Sequence, residues 1–458
     1  MKLFISFFLF FFVATLTYSQ NNITNTLGTG GTFTIKDGST TFFTLSQSDG
    51  RITLPLTTSA SPHGVIFKGA SSFIHDFRPT GTPGYNTFIG SGAGNFTMSH
   101  TTGDQASYNT GVGAGSLLSL TTGYSNTALG YSSLVSNTSG YQNTSLGTNS
   151  LIANTIGFNN TASGYNSLYW NSTGNSNSAF GDYSLYNNTT GTSNTAVGHE
   201  SLAENTTGTS NTAVGSAALT FNITGSENTA FGYHSLLHNF SGFQNTAVGH
   251  HSLENNNGNY NTALGYNAGS TVSTGLNLTL IGIDANPSSP TALDQITLGN
   301  GFVSSLRCNV QNISSLSDAR DKKNIKELNL GIDFLMKIKP RLFNWDKREW
   351  YDDNKSDGSK MKEEPTAGFI AQEFDEVQAM ENAEWLNLVL KDNPEKLEAT
   401  PGNLLPIMVK AIQDLKKEND VLKAKLTKFE QAQNILVTEI ENLKTNDSET
   451  SKVSLGDQ

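Results

Sequence analysis

The sequence contains very little cysteine, proline and charge. Of its 458 residues, one is Cys (Cys308), 11 are Pro and 15% are charged. A single cysteine excludes a disulfide framework and a cysteine-based zinc cluster. The 44 Gly lack the period of three that collagen requires, and 36% hydrophobic residues are too many for a disordered chain. A net charge of −11 argues against nucleic acid or an anionic membrane surface as a partner.

The few charges are distributed unevenly along the chain. Residues 1–316 contain 6 Lys and Arg and 11 Asp and Glu, whereas residues 317–458 contain 22 and 28. All 8 histidines precede this boundary. A nearly uncharged region rich in Asn, Thr, Ser and Gly is therefore joined to a charged C-terminal region of ordinary composition. Neither region contains a phosphate-binding loop or a dinucleotide motif, so no cofactor is expected.

The chain begins with the pattern of a secretory signal peptide. Met1 and Lys2 precede an apolar run from Leu3 to Leu16, and small residues follow, with cleavage expected near Ser19. A membrane anchor is the alternative, but the run is shorter than the ~20 residues that a spanning helix needs. We expect residues 1–19 to be removed and the mature protein to be secreted or held at a cell surface, with no further membrane span.

Residues 86–282 repeat with a period of 17 residues. Each repeat begins with an asparagine, which we number position 0. These asparagines are Asn109, Asn126, Asn143, Asn160, Asn177, Asn194, Asn211, Asn228, Asn245 and, after a step of 16, Asn261. The same phase holds a glycine at position 4, a leucine at position 8, a second asparagine at position 11 and a glycine at position 14. A strict short period indicates one structural unit stacked on its neighbours.

This repeat predicts a mainly β fold. Helix pairs need a longer unit and disfavour so much Gly, Asn and Thr. We expect a parallel β-solenoid or β-roll with two short strands per coil, asparagine ladders, a leucine seam and glycines at turns of positive φ. One leucine per coil makes a thin core, which favours a homotrimer that shares it. Residues 20–85 are expected to be an N-terminal β cap, and residues 283–316 a connector.

Position 5 of the repeat varies and is expected to face solvent. Its aromatic members form a possible ligand column for a surface glycan or cell-surface ligand; they are Tyr131, Tyr165, Tyr233 and Tyr266. The alternative is that these aromatic residues are simply exposed and bind no ligand. No metal site is expected, because His199 and His250 share a column but lie three coils apart, and His250 with His251 offers too few ligands.

The C-terminal region begins with a recognisable set of motifs. Ser317, Asp318, Arg320, Lys322 and Ile325 form the first. The later motifs are Ile338-Lys339-Pro340, Gly368 to Glu373 including Gln372, and Leu404-Leu405-Pro406 leading to Leu415. In this order they resemble the intramolecular chaperone domain of endosialidases and phage tail fibres, the peptidase S74 family. The 17-residue repeats are similar, more weakly, to the head repeats of trimeric adhesins.

The resemblance implies that residues 317–405 form a small α+β domain that trimerises, guides folding of the preceding fibre and then cuts itself off. It implies Ser317 as nucleophile, Lys322 as base, cleavage between Leu316 and Ser317, and supporting roles for Asp318, Arg320, Gly368 and Gln372.

The residues themselves allow this chemistry. The C-terminal region has no His or Cys, so a serine nucleophile there needs Lys or a carboxylate as base. Five residues place Ser317 and Lys322 on different faces of any helix or strand, so a turn or a neighbouring chain must pair them. A helix cap at Ser317-Asp318 and a solvated lysine are the structural alternative, and Lys323 is the competing base.

The chain ends with a coiled-coil pattern over residues 406–444. Apolar residues are spaced alternately four and three apart from Met408 to Leu443, with polar Asn419 and Gln433 at a positions, where such residues fix register and stoichiometry. We expect a trimeric coiled coil followed by a disordered tail, residues 445–458. Residues 374–400 are expected to be helical.

Three functions fit the sequence. The first is an exported homotrimeric fibre or adhesin that is cleaved by its own chaperone domain in a single turnover. The second is a fibre whose C-terminal region stays attached as a trimerisation clasp. The third is a monomeric solenoid that binds ice or a glycan.

Overall fold

The structure is a computed structural model, and it describes residues 32–37, 40–46, 51–55, 64–303, 305–307 and 317–453. The signal peptide expected at residues 1–19, Cys308 and Leu316 lie outside the described residues. The chain divides into two compact units, Met1–Ser304 and Ser305–Gln458.

The first unit contains two sheets. Strands β1 (Thr32–Asp37), β2 (Thr40–Ser46) and β3 (Ile52–Thr53) form an antiparallel sheet within residues 20–85, the segment expected to be the N-terminal cap. The second sheet has 15 strands and begins with the antiparallel β4 (Ile66–Lys68) and β5 (Ser71–His75). Its remaining strands are β6 (Thr87–Ile89), β7 (Thr110–Val112), β8 (Thr127–Leu129), β9 (Thr144–Leu146), β10 (Thr161–Ser163), β11 (Ser178–Phe180), β12 (Thr195–Val197), β13 (Thr212–Val214), β14 (Thr229–Phe231), β15 (Thr246–Val248), β16 (Thr262–Leu264), β17 (Thr279–Ile281) and β18 (Ile296–Leu298).

Strands β6 to β18 are parallel and in register, so the repeats form a parallel β-solenoid of about 11 turns, as predicted. In β11 and β12, Ser178 pairs with Thr195, and Ala179 with Ala196. Strand β18 lies within residues 283–316, the expected connector, and pairs in parallel with β17.

Each coil forms one three-residue strand, and the expectation of two strands per coil was wrong. The coil that begins at Asn177 illustrates why. Its residues at positions 6 and 8, Tyr183 and Leu185, have φ of 58° and 50°, and Ser193 at its end has φ of 59°. Left-handed residues at this spacing interrupt extended backbone, so the rest of the coil consists of turns.

Two buried asparagine ladders join the coils. In the first ladder, the backbone N–H of Asn177 donates to Oδ1 of Asn160 at 3.0 Å, and its Nδ2 donates to the Gly191 carbonyl at 2.9 Å. In the second, Nδ2 of Asn188 donates to Oδ1 of Asn171 at 2.7 Å and also to Gly191 O at 3.1 Å. The predicted ladders are confirmed, and the glycine carbonyl at position 14 accepts from both.

The solenoid core closes within one chain. The leucines at position 8, such as Leu185 and Leu202, and the alanines of the strands, such as Ala179 and Ala196, are all 0% exposed. Because this seam is already covered, a thin core gives no reason for a trimer. Any argument for self-association must come from other surfaces.

The two glycine positions of the coil have different roles. Gly181 at position 4 has φ of 131°, as expected for a turn that favours glycine. Gly191 at position 14 does not have positive φ; a Cβ there would lie 2.5 Å from the carbonyl oxygen of Gly208 in the next coil. The expectation that both are positive-φ turns was therefore wrong for position 14, where glycine allows the coils to approach.

A buried histidine lies near the N-terminal end of the solenoid core. The His75 ring is tilted against two phenylalanine rings, with its centroid 4.9 Å from that of Phe88 and 4.4 Å from that of Phe96. Its Nε2 lies 2.7 Å from Ala93 O, and the Phe77 N–H donates to its Nδ1 at 3.2 Å. The neutral ring with its proton on Nε2 satisfies both partners, whereas a protonated ring loses the bond from Phe77.

Acid should therefore destabilise the solenoid through His75. Burial lowers the pKa of His75 below its ordinary 6.5, despite the raising effects of the Ala93 carbonyl and Asp76. The unfolded chain then binds more protons than the folded chain below about pH 6.5, so this contribution to the free energy of unfolding is complete above that pH and falls below it.

Urea midpoints measured at about pH 7.5 and about pH 5 check this expectation. His75→Gln should flatten the decrease, and the exposed His199→Ser should keep it. An equal decrease in wild type and His75→Gln would contradict the assignment.

In the described part of the second unit there are three α-helices and two short antiparallel strand pairs. The strands are β19 (Arg341–Asn344), paired with β20 (Pro365–Gly368), and β21 (Val389–Leu390), paired with β22 (Glu398–Ala399). The helices are α1 (Ile332–Leu335), α2 (Ala371–Met380) and α3 (Leu405–Val453). Short 3-10 helices lie at Ala319–Asp321, Arg348–Trp350, Glu384–Leu386 and Pro401–Leu404. The expected helix over residues 374–400 was wrong after Met380, where β21 and β22 follow instead.

Helix α3 joins the core of the second unit at its start and is then exposed. Ile407 and Ala411 are buried, the former with Phe334 and Phe374. The helix is described as far as Val453, so the segment expected to be a disordered tail is helical over residues 445–453, and residues 454–458 lie outside the described part. Among the described residues, no helix has the length and apolarity that crossing a bilayer requires.

Candidate functional site: the Ser317–Lys322 contact

The structure brings the predicted nucleophile and base together within one chain. Nζ of Lys322 donates a hydrogen bond to Oγ of Ser317 and also lies 3.4 Å from the Ser317 carbonyl oxygen. Among the described residues the hydroxyl contact comes from Lys322, and no such bond is formed by Lys323. Leu316, the other residue of the predicted cleavage site, lies outside the described part.

A tight turn produces this contact. Residues Ala319–Asp321 form a 3-10 helix, and the Lys322 N–H donates to Ala319 O at 3.2 Å as the turn closes. Asp318 and Lys322, on either side of this short helix, have extended backbone, so the helix acts as a turn that brings the side chains of Ser317 and Lys322 together. A turn of this kind is what the spacing of Ser317 and Lys322 required.

Asp318 and Arg320 hold the turn in shape. Oδ1 of Asp318 accepts from the Arg320 N–H at 2.8 Å and caps the helix, while the guanidinium forms an ion pair with Oδ2 at 2.6 Å. The side chain and backbone N–H of Arg320 lower the pKa of Asp318. Asp318 therefore caps the helix, which is the role that a purely structural interpretation of Ser317-Asp318 predicts. The same cap orients Ser317 and Lys322.

Both members of the contact are exposed to solvent in the single chain. A lysine acts as a base only as the neutral amine, and exclusion of water is what favours that form. The single chain thus places Lys322 in contact with the Ser317 hydroxyl, but it does not exclude water from the lysine, as a Ser-Lys pair requires.

Gly368 and Gln372 lie at a strand-to-helix junction. Gly368 ends β20 opposite Arg341, and a Cβ there would lie 3.2 Å from the Phe343 ring. Gln372 is exposed in the first turn of α2, and the neighbouring Glu373 pairs with Arg341, whose guanidinium lowers the pKa of the Glu373 carboxyl. This motif supports the fold of the domain; within the described residues it makes no contact with Ser317.

The predicted position-5 column faces solvent, as expected. Its tyrosines are Tyr131 (61% exposed), Tyr165 (44%), Tyr233 (44%) and Tyr266 (50%). Three neighbouring coils form a continuous aromatic row, since His250 lies 5.0 Å from Tyr233 and 5.4 Å from Tyr266 between ring centroids. Tyr131 and Tyr165 lie on other coils, outside this row.

Histidines come together in a set that the sequence reasoning missed. The expectation of no metal site weighed His199 with His250 at position 5 and the adjacent pair His250 and His251, but it did not consider His234. At position 6, His234 and His251 lie in adjacent coils, and each can place a ligand atom within 4.8 Å of the others and of Glu254. Their separation by one 17-residue period was the available signal.

The two predicted register residues lie on α3. Asn419 and Gln433 are exposed, as are the apolar heptad residues around them. These exposed fractions range from 44% to 68% for Met408, Ile412, Leu415, Leu422, Leu426, Phe429, Leu436, Ile440 and Leu443. A predicted coiled-coil stripe thus lies on one helix without a partner among the described residues.

Comparison with known proteins supports the reading of the C-terminal region. Residues 317–383 match the Peptidase_S74 family model, described as chaperone of endosialidase. Searches of curated proteins and of solved structures gave no significant match to the chain. The match begins at Ser317, the residue whose hydroxyl Lys322 contacts, and ends before α3. The predicted resemblance is confirmed for residues 317–383, which match the chaperone of endosialidase family.

Proposed function

We propose that this chain is an exported, self-associating fibre protein whose C-terminal chaperone domain assembles it as a homotrimer and then cleaves between Leu316 and Ser317. One observation carries the proposal: the matched domain begins at a serine whose hydroxyl accepts a hydrogen bond from Lys322. Export rests on the basic start and apolar run of residues 1–19. The solenoid is the part that remains as the mature fibre.

The heptad stripe of α3 supports self-association. Apolar side chains at a and d positions of a soluble helix are normally covered by partner helices. Leu422 and Leu436 are 62% and 58% exposed in the single chain, and the stripe extends over most of α3. Because the family of the domain implies trimers, a second and a third copy of α3 are the partners that we propose for this stripe.

The solenoid presents a second apolar surface to further copies. In each coil the strand residue at position 3 points away from the core and is apolar in most coils. Exposed members include Leu129, Phe180, Val197, Phe231, Leu264, Ile281 and Leu298, at 37% to 54%. A row of exposed apolar residues along one sheet face is typical of a surface that contacts another protein. The solenoid is therefore expected to associate through this exposed apolar surface, and not because its core is thin.

Assembly can activate the Ser-Lys pair. Packing of neighbouring chains around the turn would exclude water from Lys322 and favour its neutral amine. Cleavage would then follow assembly and report its completion. The alternative is a C-terminal region that stays attached as a trimerisation clasp and is never cleaved. The exposure of Ser317 and Lys322 in the single chain favours this alternative. In that case the turn has only a structural role, with Asp318 as its helix cap.

The oligomeric state tests the assembly part of the proposal. We expect residues 20–458 carrying Ser317→Ala, which keeps the chain whole, to sediment as a trimer. Leu422→Glu with Leu436→Glu places charges in the stripe and should yield monomers, because buried unpaired charges oppose association.

Ala424→Glu with Thr438→Glu is the matched control, since it adds the same charges at f positions of the same helix and should leave the trimer intact. Sedimentation of the Ser317→Ala chain as a monomer would refute the trimer and favour the monomeric solenoid.

A further inference from the structure

His234, His251 and Glu254 form a cluster on the solenoid that the proposed function does not use. His234 is at position 6 of one coil, and His251 is at position 6 of the next; Glu254 follows three residues after His251. Both histidines have left-handed backbone, with φ of 55° and 56°. The period of the solenoid therefore places two imidazoles side by side and a carboxylate beside them.

The nitrogen and oxygen atoms of the cluster that could bind a metal lie close together. Nδ1 of His251 lies 2.9 Å from Oε2 of Glu254, and Nδ1 of His234 lies 3.6 Å from Oε1. Both Nδ1 atoms are buried, and neither has the alignment of a hydrogen bond with any described residue. Buried polar atoms in proteins are normally partnered, and the Glu254 carboxylate is the charged group that both Nδ1 atoms face.

These separations fit a metal ion. Bonds of 2.0–2.2 Å to Zn²⁺ in a tetrahedral site place neighbouring ligand atoms ~3.3 Å apart. The two observed separations lie on either side of that value, and the three residues can bring their ligand atoms within 4.8 Å of one another. The side chains of all three residues are 24% to 25% exposed, so solvent can reach the cluster and supply a fourth ligand.

The charge of the cluster also suits a cation. A neutral imidazole is the form that binds a metal, and a carboxylate adds the negative charge. We propose that His234, His251 and Glu254 bind one divalent first-row ion, with Zn²⁺ as the best-fitting candidate, and that the ion links two adjacent coils.

Equilibrium dialysis of residues 20–458 against Zn²⁺ tests this proposal. We expect one ion per chain, and a loss of affinity of at least about tenfold in His234→Asn, in His251→Asn and in Glu254→Gln. Asn is the suitable replacement because Asn149, Asn166 and Asn267 occupy position 6 of other coils with the same left-handed backbone. A thermal shift on adding Zn²⁺ should be lost in the same variants.

His199→Ser is the matched control, since His199 also has a carboxylate neighbour, Glu200, at 4.0 Å but no second histidine beside it. This variant should bind Zn²⁺ as the wild type does. Absence of binding, or equal binding by wild type and the His234→Asn/His251→Asn double variant with unchanged melting, would overturn the proposal. Neither outcome depends on whether the chain trimerises or cleaves itself.

Discussion

The wild-type chain of residues 20–458 is expected to separate into two fragments that meet between Leu316 and Ser317, and Lys322→Met is expected to stay whole. Loss of a positioned base lowers the rate of such a step by about 10²- to 10⁴-fold. Lys322 is the residue whose amine contacts the Ser317 hydroxyl. Intact-mass spectrometry after purification measures both outcomes, because each fragment has a defined mass.

The reaction balances within the chain, with water as the only co-reactant. Lys322 as the neutral amine takes the proton of the Ser317 hydroxyl, and Oγ attacks the carbonyl carbon of Leu316. The peptide bond breaks, the proton passes to the released amine of Ser317, and an ester joins Leu316 to Oγ. Water then hydrolyses the ester, which leaves a carboxylate on Leu316 and restores the hydroxyl.

Three further variants separate catalysis from structure. Lys322→Arg keeps a cation at the turn but cannot supply a neutral base, so it should also stay whole. Ser317→Ala should stay whole, and Lys323→Met should cleave normally. Cleavage of Lys322→Arg or Lys322→Met at the wild-type rate would contradict the assignment of the base. An uncut wild-type trimer would leave the C-terminal region as a permanent clasp.

The period of the sequence predicted the solenoid because a repeat constrains every coil in the same way. Asn177 and Asn188 recur at fixed positions, so their ladders follow once parallel stacking is assumed. The number of strands per coil does not follow, since it depends on backbone conformation at Tyr183 and Leu185. Neither residue type signals a left-handed φ, and only the packing of the closed coil imposes it.

The candidate sites differ in how far residue patterns could reveal them. The resemblance at Ser317 predicted a Ser-Lys pair, whereas the spacing alone argued against it, because five residues separate the side chains on any regular helix or strand. The 3-10 turn that joins them depends on hydrogen bonds of Asp318, which the spacing does not reveal. The cluster of His234, His251 and Glu254 could have been found by aligning position 6 of adjacent coils. The closed core could not be anticipated, because composition does not reveal how tightly coils approach.

Gly191→Ala is expected to be among the most damaging single substitutions in the solenoid. The added Cβ would lie 2.5 Å from Gly208 O and would also clash with Oδ1 of Asn188. Backbone must move to admit it, and the carbonyl of Gly191 accepts from both asparagine ladders. Overpacking with loss of buried hydrogen bonds should lower the free energy of unfolding by about 3 kcal/mol or more. Urea unfolding followed by circular dichroism measures the change.

Gly115→Ala tests the effect of backbone strain without a close contact between coils. Gly115 is at position 6 with φ of 73°, but a Cβ there meets its nearest neighbour, Oγ of Ser132, at 3.7 Å. The alanine should therefore cost only the left-handed conformation, about 1 kcal/mol. If strain at positive φ governed these coils, Gly115→Ala would be the more damaging change and Gly191→Ala would be mild. The opposite order would establish that glycine at position 14 is required because a neighbouring coil occupies the space of its side chain.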